Sequence, residues 1–159
     1  MNADATATKR MDGAVVVATA LAWVGTPYRH QGARRGIGCD CLGLVRGVWR
    51  DLYGQEPEQP GAYAPDWAEA GGEDRLLDAA RRHLIALDGA APLAGAVLLF
   101  RWRPHLPAKH AAIALDAERI VHAYEGRAVT VSFLVPHWRR RIAGVFAFPA
   151  PAAPDPNIG

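Results

Sequence analysis

Length, composition and charge indicate a small globular protein. The chain has 159 residues, of which 50% are hydrophobic, and its formal net charge is +2 at pH 7. This length suits one domain with one core, and the composition is that of a folded protein. Because the charge is too small to indicate nucleic-acid binding, we read Arg34-Arg35 and Arg139-Arg140-Arg141 as local charged patches.

The first predicted element is a buried helix from about Asp12 to Val24, after a flexible N-terminus at residues 1–11. Asp12 suits the N-cap of this helix. Lys9-Arg10 and the apolar run that follows also resemble a signal peptide, but Trp23 stands where small residues should prepare cleavage. The run is too short to span a bilayer, so we expect no membrane insertion.

A second helix is predicted from about Asp40 to Leu52, after a loop at residues 28–38. Its apolar residues recur at helical spacing. Gly43 and Gly47 each cost about 1 kcal/mol relative to alanine in a helix. Since they are four residues apart, they form a smooth face, and we expect another element to pack closely against it.

The second half of the chain changes to a strand pattern. A long loop at 53–72 and a helix at about 73–84 precede it, and a Pro-rich tail at 149–159 follows it. The predicted strands are Ala96–Trp102, His110–Asp116, Arg119–Tyr124, Ala128–Phe133 and Ile142–Phe148. Helices followed by a meander of strands predict an α+β domain, at 12–148, with an antiparallel sheet of about five strands.

The two cysteines, Cys39 and Cys41, are too close in sequence for an easy disulfide. Cys41 falls at the start of the second helix, where unpaired N–H groups and the helix dipole lower the pKa of a thiol. The same N–H groups can hold a developing oxyanion. The alternative reading of Cys41 is a small buried hydrophobic residue.

Two histidines lie on neighbouring predicted strands. A three-residue loop at Asp116–Glu118 would pair Leu115 with Arg119, and His110 and His122 would then face the same side as diagonal neighbours. Diagonal neighbours lie roughly 7–8 Å apart at Cα, which suits contact between imidazoles. A loop of two or four residues would place them on opposite faces, and we predict the odd register.

These residue types suit nucleophilic catalysis. We assign Cys41 as the nucleophile, His110 as the base that takes the thiol proton, and His122 as the group that orients His110. Each histidine can instead be a half-buried strand residue whose ring forms its hydrogen bonds with backbone groups. The other histidines are read in that way: His30, His83, His105 and His137.

Four motifs resemble the NlpC/P60 cell-wall peptidases, and most closely the phage-type branch found in tail-gene clusters and gene transfer agents. They are Gly25-Thr26-Pro27-Tyr28, Asp40-Cys41-Leu42-Gly43-Leu44, Lys109–Leu115 and Ile120-Val121-His122-Ala123. The resemblance covers about residues 12–148 and implies a papain-like fold. It also implies hydrolysis of peptidoglycan stem peptides, typically at γ-D-glutamyl–diaminopimelate bonds, without a cofactor.

The resemblance extends to single residues. It implies Cys41 as nucleophile, His110 as base and His122 as the orienting member, with Tyr28 and Asp40 on the substrate or oxyanion side. Leu42 departs from the family, where serine often follows the nucleophile. The absence of a wall-binding module suggests delivery by other proteins, so we expect tail-hub or baseplate partners. We expect a virion component that is assembled in the cytoplasm and acts on the periplasmic wall.

Other readings stay open at this stage. The domain can be a structural tail-hub or baseplate component that acts by docking, or an acyltransferase or amidase on the same scaffold. A structural zinc site of Cys39, Cys41, His110 and His122 is disfavoured, because one residue separates the cysteines where zinc sites usually have two to four. We therefore predict no metal site.

Overall fold

The computed structural model describes residues 9–57, 74–87, 89 and 91–151. The predicted loop at 53–72 lies largely outside the described residues, as do most of the predicted N-terminus and tail. The described helices are α1 (Gly13–Leu21), α2 (Cys41–Tyr53), α3 (Arg75–His83) and α4 (Pro136–Arg139). None of these helices combines the length and the apolar character needed to cross a bilayer.

The helix predictions are largely confirmed. Asp12 caps α1, and its carboxylate accepts a hydrogen bond of 2.9 Å from the Ala14 N–H. α1 ends at Leu21 rather than Val24, since the chain turns there toward Gly25, whose φ is +93°. The short helix α4 was not predicted, because one turn that begins at a proline shows no helical period.

The strands form two antiparallel sheets, of two and six strands. They are β1 (Ala33–Arg34), β2 (Gly38–Cys39), β3 (Ile85–Ala86), β4 (Val97–Phe100), β5 (His110–Ala114), β6 (Arg119–His122), β7 (Thr130–Phe133) and β8 (Ile142–Ala147). The five predicted strands are confirmed, each somewhat shorter than expected. The hairpin β1–β2 and strand β3 were missed, because strands of two residues carry no alternation.

The large sheet has the order β3-β8-β4-β5-β6-β7 and is covered on both faces at its centre. All residues of β4 and β5 are buried. Val97, Ile113 and their neighbours pack against α1, α2 and α3 on one face. Leu98 and Ala112 belong to a second cluster, which Trp138 of α4 covers on the other face. The described chain therefore has the predicted α+β architecture.

The two glycines of α2 permit the close packing that the sequence predicts. A Cβ atom on Gly43 would lie 1.7 Å from the carbonyl oxygen of Gly32. A Cβ atom on Gly47 would lie 2.1 Å from the six-membered ring of Trp23, which is fully buried. The indole N–H of Trp23 donates to the Asp51 carboxylate at 3.0 Å, which fixes the ring against α2.

We predict that Gly47→Ala lowers the free energy of unfolding by about 1–3 kcal/mol, because the added methyl group overlaps the Trp23 ring. Denaturant titration measures the change. The double variant with Trp23→Phe should lose less than the sum of the two single changes, since the smaller ring relieves the overlap. A stabilised Gly47→Ala protein, as helix propensity alone would give, would contradict this packing.

Candidate active site

The candidate nucleophile stands at the first residue of α2, as predicted. Asp40 precedes it as the N-cap, and one carboxylate oxygen accepts a 2.7 Å hydrogen bond from the Gly43 N–H. The other oxygen accepts a 2.7 Å hydrogen bond from the N–H of Gln31. Gln31 has a φ of +65°, in the left-handed region. One buried carboxylate therefore fixes both the helix start and the preceding loop around Cys41.

The sulfur of Cys41 lies against the backbone of β5. It donates to the carbonyl oxygen of Lys109 at 3.8 Å. The N–H groups of Ala111, Leu42 and Cys41 itself also act on the sulfur and favour its anion. The sulfur thus contacts the chain on both sides of His110. Strand β5 pairs with β6 at Ile113 and Ala114, so its His110 end lies outside that pairing. Helix α2 begins beside this end, which places the sulfur there.

The predicted lowering of the Cys41 pKa is wrong. Burial of the sulfur among protein atoms, followed by the negative charge of Asp40, raises the pKa of this thiol to about 11. The backbone N–H groups at the helix start lower it, as the sequence analysis expects, but they are outweighed. Although Cys41 is partly exposed as a residue, its sulfur is a neutral thiol at pH 7 in the resting site.

The predicted register of the two histidines is confirmed. β5 and β6 pair Ile113 with Val121 and Ala114 with Ile120, and the Leu115 N–H donates to the Arg119 carbonyl. His110 Nε2 lies 2.9 Å from His122 Nδ1, which is a hydrogen-bond distance.

Strand β7 adds a hydroxyl to this pair that the sequence analysis missed. His122 Nε2 lies 3.0 Å from Ser132 Oγ. β6 and β7 pair Ile120 with Ser132 and His122 with Thr130, so Ser132 is a diagonal neighbour of His122 on the same face. Side-chain alternation along the predicted strand Ala128–Phe133 could have placed Ser132 on one face, but only the register of β6 and β7 identifies its partner.

Both imidazoles are neutral at pH 7. Burial, followed by the charges of His122 and Lys109, lowers the pKa of His110 from 6.5 to about 3. Burial lowers the pKa of His122 from 6.5 to about 4. Each ring therefore has one N–H and one lone pair, so the pair can relay a proton without either ring starting as a cation.

Aromatic rings surround the histidine pair. Trp102 stacks on His110 with ring centroids 6.0 Å apart and an interplanar angle of 18°. Trp138 of α4 contacts His110 at 5.6 Å and His122 at 5.8 Å. Tyr124 lies 6.1 Å from His110 and 5.8 Å from His122. These rings, which the sequence analysis did not identify, account for the burial that lowers the histidine pKa values.

Tyr28 lies beside the cysteine segment. The Cys39 N–H donates to the Pro27 carbonyl at 3.0 Å, and the Arg29 N–H donates to the Cys39 carbonyl at 3.1 Å. Burial, followed by negative charge on Cys41, raises the pKa of Tyr28 to about 12, so the hydroxyl lies within electrostatic range of the sulfur. A contact with substrate stays a prediction for Tyr28.

Asp40 and Cys39 have structural contacts. Asp40 is 4% exposed, and both of its carboxylate oxygens accept backbone hydrogen bonds, so its contacts are those of a positioning residue. A contact of Asp40 with substrate stays a prediction. Cys39 is fully buried in the main core. Within the part of the chain that the structure describes, no group of three or more His, Cys, Asp or Glu side chains is placed to hold a metal ion.

Comparison with known proteins agrees with this geometry. The model of the NlpC/P60 family matches residues 25–146. The NlpC/p60 domain of the peptidoglycan hydrolase SagA is 26% identical with a TM-score of 0.58, and the match covers 87% of this chain and all of that one. No protein of curated function matches the sequence.

Two further solved structures show the same fold. An NLP/P60 family protein similar to lipoprotein from Staphylococcus aureus is 24% identical with a TM-score of 0.57, over 89% of this chain and 44% of that chain. An NlpC/P60 family protein from Bacillus cereus is 18% identical with a TM-score of 0.58, over 87% and 40%. This chain therefore spans less than half of these two relatives. Because the family model matches residues 25–146, which are most of this chain, the chain belongs to the NlpC/P60 family.

Proposed function

We propose that this protein is a cysteine endopeptidase that hydrolyses peptidoglycan stem peptides. Two observations carry the proposal: the Cys41 sulfur contacts the Lys109 carbonyl next to His110, and hydrogen-bond distances join His110, His122 and Ser132. Membership of the NlpC/P60 family supports a cell-wall substrate, and the related SagA domain belongs to a peptidoglycan hydrolase.

The contacts of the histidines determine which protons they hold. His110 Nδ1 is the ring nitrogen that His122 does not occupy, so it is the one that can accept the thiol proton. His110 Nε2–H must then donate to His122 Nδ1, and His122 Nε2–H must donate to Ser132 Oγ. Any other arrangement of the ring protons along this chain leaves His110 without a free lone pair.

Acyl transfer follows from these positions. Because thiol and imidazole are both neutral at rest, the proton moves from Cys41 to His110 as the sulfur attacks the peptide carbonyl. The N–H groups of Cys41 and Leu42 at the start of α2 can hold the oxyanion. His110 then protonates the leaving amine, and water, activated by the same imidazole, hydrolyses the thioester and regenerates the thiol.

We further propose that the bond cleaved is of the γ-D-glutamyl–diaminopimelate type. The protein would be carried by a phage-like or gene-transfer-agent tail through tail-hub or baseplate partners, and would open the periplasmic wall during DNA delivery. The similarity of its motifs to the phage-type branch supports this assignment. The alternative is a structural tail component. Virions with Cys41→Ala that assemble but fail to enter cells would favour catalysis, whereas normal infection would favour docking.

We predict that Cys41→Ala abolishes the release of muropeptides from purified sacculi, because it removes the proposed nucleophile, whose sulfur contacts the Lys109 carbonyl next to His110. Cys39→Ala should retain release, since Cys39 is buried in the core and serves as the matched thiol control. Mass spectrometry of the digests under reducing conditions measures both. Absence of stem-peptide products with the wild type, or equal release by Cys41→Ala, would reject the hydrolase assignment.

We predict that neither active-site imidazole titrates between pH 5 and pH 8, because their pKa values are about 3 and about 4. The unfolded chain binds these two protons near pH 6.5 and the folded chain does not, so this pair makes the free energy of unfolding fall as the pH drops from 6.5 toward 4. NMR titration, assigned with His110→Gln and His122→Gln, measures the pKa values. A ring that titrates near pH 6.5 would contradict the burial of the pair.

We predict that Ser132→Ala lowers kcat roughly tenfold with KM unchanged, because His122 loses the acceptor that sets its ring protons. Ser132→Thr keeps a hydroxyl at the same strand position and should retain most of the activity. Steady-state kinetics on a defined stem peptide separates kcat from KM. If alanine and threonine have equal effects, or if the change falls on KM, Ser132 does not orient His122.

A further inference from the structure

A concave site lies next to Trp102, the ring that stacks on His110. It is a cavity of about 490 Å³ between the loop that follows β4 and the turn between α4 and β8. The Arg101 N–H donates to the Arg141 carbonyl at 2.9 Å, which joins the two segments. We call this site the arginine pocket, and its lining is Arg101, Trp102, Arg103, Pro104, Arg140, Arg141 and Ile142.

The arginine pocket has a strong excess of positive charge. Residues 101–109 and 137–141 together contain six Lys and Arg residues and no Asp or Glu. Asp74, the residue before α3, forms an ion pair with Arg101 of the pocket at 3.3 Å. Arg141 donates to the His137 carbonyl at 2.8 Å. Within the described ranges, no carboxylate pairs with Arg103 or Arg140, so their guanidinium charges are not neutralised there.

This arrangement suits a carboxylate. A guanidinium group presents a planar fork of N–H donors that matches a carboxylate with two parallel hydrogen bonds. Arg103 and Arg140 are both exposed at this site, so a carboxylate from solution can reach their guanidinium groups. The volume is near the lower end of the range for ligand pockets and suits an amino-acid unit rather than a nucleic-acid duplex.

Trp102 connects the arginine pocket to the catalytic site. Its ring lines the pocket and stacks on His110 at 6.0 Å. The ammonium group of Lys109 lies 5.6 Å from the same ring. An anion in the pocket is therefore separated from the proposed base by one indole ring. Stem peptides carry free carboxylates on D-glutamate and diaminopimelate, next to the proposed scissile bond.

We propose that the arginine pocket is a specificity subsite that binds a free carboxylate of the stem peptide through Arg103 and Arg140. This assignment rests on the proposed peptidase function. With this subsite the protein binds stem peptides that have free carboxylates more tightly than stem peptides in which these groups are amidated.

Kinetics on matched peptides tests the subsite. The substrates are a diaminopimelate stem tetrapeptide and the same peptide with its D-glutamate or diaminopimelate carboxylate amidated. For the wild type we expect amidation of the recognised carboxylate to raise KM roughly tenfold with kcat little changed. The double variant Arg103→Gln/Arg140→Gln should show the raised KM for both peptides. The control Arg81→Gln, which changes an exposed side chain of α3, should behave as the wild type.

Three results would overturn the subsite. These are equal KM values for all peptides with the wild type, an equal loss for free and amidated peptides in the double variant, and a double variant that loses only affinity for a DNA duplex. Peptide binding measured by calorimetry on the Cys41→Ala protein separates this proposal from the peptidase proposal. Carboxylate-dependent binding without cleavage by the wild type would reject the peptidase and retain the subsite.

Discussion

The proposed catalytic geometry depends on the contact between two imidazoles on neighbouring strands. His110 Nε2 and His122 Nδ1 lie 2.9 Å apart because an odd loop between β5 and β6 keeps both residues on one face. A shift of one residue in that register would move one ring to the opposite face of the sheet. The protonation of His110 therefore depends on correct strand pairing. Ser132 on the next strand extends this pair of imidazoles through its contact with His122.

A separate set of contacts positions the proposed nucleophile, Cys41. Asp40 caps α2 and holds the loop at Gln31, while Gly43 and Gly47 allow α2 to approach its neighbours closely. These contacts bring the Cys41 sulfur against the backbone on both sides of His110. Burial keeps both the thiol and the imidazole neutral, so the pair avoids a buried charge until substrate arrives.

Much of this organisation could be predicted from local pattern. The start of α2 near Asp40, the position of Cys41 and the shared face of the histidines all follow from spacing within a short stretch of chain. Ser132, Trp102 and Trp138 could not be identified in that way, because their contacts depend on the β6–β7 register and on the unpredicted helix α4. The direction of the Cys41 pKa shift was also missed, since burial arises only when the whole sheet has formed.

The most direct test of the account is to trap the covalent intermediate. Wild-type protein is mixed with a stem peptide, quenched in acid within the first turnovers and mapped by peptide mass spectrometry. The account predicts an acyl adduct on Cys41 that decays as product forms. Turnover with no adduct at Cys41, or an adduct on another residue that is kinetically competent, would contradict it.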